Sequence, residues 1–159
     1  MATITKTGKD ANVRLGSTPW GNKSALHYSL ATNASGAVIG GNSTAAVASG
    51  DKVRIGLIPA GMRIYDSQVL IKVAMSASVI GDLGFEYADG VDDTAVPQSA
   101  NVFGNDIALS SAARLRNATT NKSVKLPKAA WLILTTAGAN NAKASDIEIT
   151  LDAIAEGND

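Results

Sequence analysis

The sequence predicts an all-β fold: a two-sheet antiparallel β-sandwich, jelly-roll-like, preceded by an extended N-terminal arm. Three observations carry this. Apolar and polar residues alternate with period two in segment after segment, the mark of half-buried strands. Clusters of Gly, Ser, Asn and Pro separate those segments with no recurring helical stripe between them, which excludes a parallel βαβ architecture. At 159 residues the chain has the length of one domain, able to bury roughly 70% of the surface its unfolded form exposes.

Residues 1–23 read as the arm. They hold Lys6, Lys9, Arg14 and Lys23 against Asp10 alone, and Ile4, Val13, Leu15 and Trp20 are too scattered to make a strand face or a helical stripe. Residues 24–159 form the sandwich domain. Its first strand spans 24–32, with Leu26, Tyr28 and Leu30 inward and Ala25, His27 and Ser29 outward. With a single His in the chain, His27 has no second imidazole to share a metal with and reads as a solvated or interface residue. Residues 33–51 are rich in Gly and Ser and read as a long loop with room for one short strand at 37–39. They lack the Gly-Lys-Ser/Thr ending of a phosphate loop, and no capped helix follows.

Residues 52–93 are the most informative stretch. Val53, Ile55 and Leu57 alternate with Lys52, Arg54 and Gly56. Pro59 then removes a ladder donor, and Gly61 supplies the positive φ of a turn, so a chain reversal or a sheet-to-sheet corner follows. Next come Val69, Ile71, Val73 and Met75 on one inner face, then Leu83, Phe85 and Tyr87 inside with Glu86 outside. Three patterned strands so close together predict an antiparallel sheet. Residues 89–113 read as a long loop broken by Pro97 and Gly104, and residues 110–116 as one or two helical turns. After Val124 and Leu126, residues 130–136 are apolar on both faces, as in a central strand or one covered by a partner subunit. Ile147, Ile149 and Leu151 alternate with Glu148, Thr150 and Asp152 in a last strand.

Fourteen basic residues balance fourteen acidic ones, so no global field draws the chain to nucleic acid or to an anionic membrane. The absence of Cys removes disulfides, zinc–thiolate sites and thiol catalysis. The polar N-terminus lacks the apolar core of a signal peptide, which predicts synthesis in the cytosol. No cofactor and no metal site is predicted. The charges nevertheless fall in blocks. Asp82, Glu86, Asp89, Asp92, Asp93 and Asp106 occupy an interval without a base, whereas Arg114, Arg116, Lys122, Lys125 and Lys128 follow without an acid. Opposite blocks in surface loops are complementary between neighbouring copies, which nominates Asp89, Asp92, Asp93, Arg114 and Arg116 as subunit contacts. The acidic loop lacks the spacing of an EF-hand calcium site.

IPAG at 58–61, followed by Gly81, Asp82, Gly84, Tyr87, Ala88, Asp89 and Gly90, resembles a segment of small bacteriophage virion proteins of the head decoration, or cement, type. The resemblance covers about forty residues. It implies a non-enzymatic β-sandwich subunit, a homodimer or homotrimer, that binds the major capsid protein on the outer surface of the shell and stabilises it. Localisation in the virion after synthesis in the host cytoplasm is implied as well. The arm residues Lys6, Lys9, Arg14 and Trp20 would then lie on a neighbour or on the capsid. The alternative is a carbohydrate-binding module of a fibre or other appendage, using Trp20, Tyr65, Phe103 and Trp131. A glycosidase-like carboxylate pair is the remaining enzymatic reading, and every surface acid qualifies for it equally.

Overall fold

The computed structural model describes residues 1–6, 23–116 and 122–157. Ten strands and no helix occur among them: β1 (Thr3–Thr5), β2 (Lys23–Thr32), β3 (Lys52–Ile58), β4 (Met62–Val73), β5 (Ile80–Tyr87), β6 (Ser99–Ala108), β7 (Ala113–Leu115), β8 (Val124–Lys125), β9 (Ala130–Ala137) and β10 (Ser145–Ala155). The first sheet has the order β1-β3-β9-β5-β6 and the second β2-β10-β4-β7, with β8 beside the other end of β4. Pairs nest: β2 with β10, β3 with β9, β4 with β7 and β8, and β5 with β6. A long antiparallel hairpin folded over into two layers has this pairing, and it is the jelly roll.

The core lies between the layers. Val53, Ile55, Leu83, Phe85, Leu132 and Leu134 from the first sheet meet Leu26, Tyr28, Ile71, Ile147, Ile149 and Leu151 from the second, all buried. Each such aliphatic side chain contributes about 1.5–3 kcal/mol. Buried polar atoms stitch the layers: the Tyr28 hydroxyl donates to the Leu57 carbonyl at 3.0 Å, and the Ser67 hydroxyl to the Phe103 carbonyl at 2.6 Å. At one end of the roll, buried Asn141 orders the Gly-rich 33–51 loop. Its Nδ2 donates to Thr32 Oγ1 at 3.0 Å, its Oδ1 accepts the Ser76 N–H at 3.0 Å, and its own N–H reaches the Val47 carbonyl at 2.8 Å. The loop holds isolated bridges, Thr32 to Val38 and Ala37 to Ala46.

Several expectations are corrected. The first sheet is mixed, because β1 runs parallel to β3. The strands read from 52–93 do not share one sheet, since β3 and β5 flank β9 while β4 belongs to the opposite layer. Leu57 is 40% exposed where it was expected inside. A bulge between Arg54 and Gly56 reverses the alternation, so Ile58 is buried in its place. Val73 is 48% exposed for a related reason, the irregular register where β10 passes from Asp146 to Ile147 along β4. The 89–113 loop contains β6, and the expected helical turns at 110–116 are replaced by β7, which pairs with β4.

Pro59, Ala60 and Gly61 form the sheet-to-sheet corner. Gly61 has φ +76°, and a Cβ there would stand 2.6 Å from the Gly157 backbone. Gly90 shares the positive φ, +73°, with open space around it. Gly90→Ala should therefore cost about 1–2 kcal/mol from the left-handed backbone alone. Gly61→Ala should cost more than that, through the added collision. Equilibrium urea denaturation of the two variants checks the order, and equal losses would refute the steric account of the corner.

Candidate assembly surface

The acidic loop joins β5 to β6 at the corner end of the roll. Asp89 Oδ1 accepts the Val91 N–H at 3.0 Å, and its Oδ2 meets Lys128 Nζ at 2.9 Å. The Val91 hydrogen bond and then the Lys128 hydrogen bond hold the Asp89 carboxyl below the usual carboxylate range. Asp92 Oδ1 accepts the N–H groups of Asp93 and Gln98, both at 2.8 Å, and Asp93 Oδ1 those of Ala95 and Val96 at 2.9 and 3.0 Å. These carboxylates shape the loop by capping its backbone donors. Lys128 also sits 4.6 Å over the ring of Tyr87, whose hydroxyl donates to the Val96 carbonyl at 2.6 Å. Burial, aided by the charges of Asp93, Asp92 and Asp89, pushes the Tyr87 hydroxyl up to about 12. Among the described residues no three Asp, Glu or His side chains form a cluster fit to hold a metal ion.

Arg114 lies on β7 at the outer face of the second sheet, and Arg116 directly follows that strand. Arg114 donates to Gln68 Oε1 at 2.6 Å, and Arg116 contacts Asp66 Oδ2 at 2.5 Å. The Arg116 hydrogen bond holds the Asp66 carboxyl below its ordinary range. Asp152 on β10 stands directly opposite Asp66, and its partner is Lys23 at 2.7 Å. Asp66, Gln68, Arg116, Thr150 and Asp152 border a shallow groove of about 260 Å³. Lys72 meets Asp146 at 2.9 Å, and Arg63 meets Glu156 at 2.6 Å. Many of the block charges therefore have partners within their own chain. The nominated acids and the β7 arginines occupy different parts of the roll.

Lys6 Nζ donates to the Ser29 carbonyl at 2.8 Å. Lys9, Arg14 and Trp20 lie outside the described residues. Of the aromatics named for carbohydrate, Phe103 is corrected to a core residue at 4% exposure, stacked near Phe85, whereas Tyr65 is 49% exposed.

The outer face of the first sheet carries a cluster that the linear pattern does not reveal. Glu86 on β5 reaches over β9 to Lys52 at 2.6 Å and Arg54 at 2.5 Å, both on β3. Arg54 lies 5.8 Å from the ring centre of Trp131. In the register the bridge passes over Ile133, which is only 2% exposed although it faces away from the core. Burial pushes the Glu86 carboxyl upward, but the hydrogen bonds and charges of Lys52 and Arg54 outweigh it and hold the group below the carboxylate range. The outward phases of Lys52, Arg54 and Glu86 were readable in the sequence. Their meeting required the strand order, which inserts β9 between them.

No protein family matches this sequence, and no curated protein does. Among solved structures, the chain is similar to one from the capsid of Ralstonia phage GP4, with a TM-score of 0.59 and 14% identity over 92% of this chain and 94% of that one. At this identity the likeness is one of fold, and it spans nearly the whole of both chains.

The depressed Glu86 carboxyl stabilises the folded state above its ordinary value of 4.5, and that contribution is lost as pH falls through the lower folded value. Asp66 and Asp89 act in the same direction. Melting temperatures should therefore decline on acidification from about pH 6 to about pH 3. Glu86→Gln should remove about 1–2 kcal/mol at neutral pH and flatten the acid limb. A variant whose acid limb matches the parent's would show that Glu86 does not contribute to it.

Proposed function

We propose that the chain is a non-enzymatic bacteriophage virion protein that binds the outer surface of the capsid as a decoration, or cement, subunit and stabilises the shell. The observation that carries this reading is the fold match to a chain from the capsid of Ralstonia phage GP4 over 92% of this chain. The site chemistry supports it. A glycosidase-type general acid needs a carboxyl raised toward neutrality, whereas Asp66, Glu86 and Asp89 are all lowered by cations and backbone donors. A roll whose loops are capped by their own side chains is a stiff body, suited to carrying load across the joints of a shell.

The partners are the major capsid protein and further copies of the chain, as a homodimer or homotrimer. Nucleic acid and membrane have no part in the reading. Contacts are assigned to Asp89, Asp92 and Asp93 at the corner end, to Arg114 on β7 and Arg116 just after it, and to the arm through Lys6, Lys9, Arg14 and Trp20. Asp92 is exposed while its loop is held in shape from within, so docking there orders little additional chain.

Purified protein mixed with undecorated shells should co-sediment to a saturating ratio and raise the temperature at which the shells rupture. Protein left wholly in the supernatant, with rupture unchanged, would overturn the proposal. Arg114→Glu exchanges one exposed charge on a three-residue edge strand and should leave the melting temperature within a few degrees of the parent's. Its shell affinity should fall roughly tenfold, about 1.4 kcal/mol. Unchanged affinity would remove β7 from the contact surface.

A further inference from the structure

The N-terminal residues meet the roll as a peptide meets a groove. β1 runs parallel to β3, with Thr3 beside Lys52, Ile4 beside Val53 and Thr5 beside Arg54. The Lys52 N–H donates to the Ala2 carbonyl at 3.0 Å, and the Lys6 N–H to the Arg54 carbonyl at 3.1 Å. On its other side, Thr5 exchanges two hydrogen bonds with Asn42: its N–H donates to Asn42 Oδ1 at 3.0 Å, and its carbonyl accepts the Asn42 N–H at 2.9 Å. Buried Asp51 accepts the Ala2 N–H at 2.9 Å and the Ala48 N–H at 2.9 Å, one on each oxygen. Ile4 enters the core at 2% exposure. Main-chain pairing with one apolar anchor is the chemistry of strand addition.

The eight-segment roll closes without this strand, because each of its nested pairs forms among β2 to β10. β1 is therefore an appended element held by a tether, and the tether is long. Lys6 Nζ contacts Ser29, six residues along β2 from Lys23, so closure within one chain needs about 20 Å of strand plus a lysine side chain. The seventeen steps from Lys6 to Lys23 reach up to about 56 Å when extended. That bound exceeds the distance that closure within one chain requires.

We propose that β1 is exchanged between copies of this chain, so that Thr3–Thr5 of one molecule adds to β3 of another. Every contact of the docked strand is the same in either arrangement, so only tether entropy and concentration decide between them. Docking of a chain's own strand competes at an effective concentration in the millimolar range. Single chains therefore keep their own strand when dilute and trade strands as copies approach millimolar density, as neighbours on any surface do. The proposal stands independently of the virion reading, since it concerns this chain alone in solution.

The chain has no Cys, which makes cross-linking clean. Thr3→Cys and Lys52→Cys are prepared as separate full-length variants, mixed, and oxidised at about 1 μM and about 1 mM. A disulfide between positions 3 and 52 of different chains is expected, with a yield at least tenfold higher at the upper concentration. No such link at about 1 mM, in a preparation where the double variant closes within one chain, overturns the proposal. Light scattering of the unmodified chain supplies a second reading. A dimer that grows toward millimolar concentration and is lost on deletion of residues 2–6 supports exchange, and a monomer at every concentration overturns it.

Discussion

The close approach of Gly61 to the backbone of Gly157 governs how the two layers sit on one another. Ile58 is the last residue of the first sheet to enter the core, and Met62 already begins β4 in the second. Three residues carry the chain between layers, which is possible because Pro59 stops the ladder and Gly61 adopts a positive-φ backbone in a place where a Cβ would collide with Gly157. The corner is tied on both sides: the Gly61 N–H donates to the Leu126 carbonyl at 2.7 Å, and its carbonyl accepts the Glu156 N–H at 2.9 Å. β4 then pairs with β10 from Met62 beside Ala155 onward. A displacement of one residue at the corner would slip β4 in that register and turn its inward residues Ile64, Val69 and Ile71 toward solvent.

Charge is distributed according to the same layering. Each sheet has one face in the core, so its ionic residues must lie on the other, and there they find partners across strands. Glu86 serves two cations over the back of Ile133, and Lys23, Asp152, Asp66 and Arg116 line up across the second sheet. The more exposed pairs of the second sheet contribute little each. A carboxylate held by its own chain presents a fixed pattern of charge, whereas a free one must first be ordered.

The two ends of the roll solve their loop problem differently. At the corner end, Asp89, Asp92 and Asp93 cap the backbone of their own loop. At the other end, buried Asn141 joins Thr32 and Ser76 through its side-chain amide and Val47 through its backbone N–H, three segments distant in sequence. Low-complexity sequence therefore becomes ordered structure without a large apolar contribution of its own.

The sequence by itself determined the strands whose alternation is uninterrupted. From Leu26 to Leu30 in β2, Ile147 to Leu151 in β10 and Leu83 to Tyr87 in β5, each inward residue is apolar and each neighbour polar or small, which is the signature of a strand. The two-faced apolarity of β9 likewise announced a central strand or one covered by a partner subunit, and β9 lies between β3 and β5 with both edges paired. Tertiary structure alone decided the rest. β6 interrupts its alternation with Gly104 and an irregular register against β5, and β7 is a three-residue strand that exists because β4 offers it an edge. Bulges moved Leu57 outward and Ile58 inward, and no local signal distinguishes a bulge from a regular step. The charges were legible as blocks, but their pairing was not, because which acid meets which base depends on strand order, and strand order is set by burial across the whole roll.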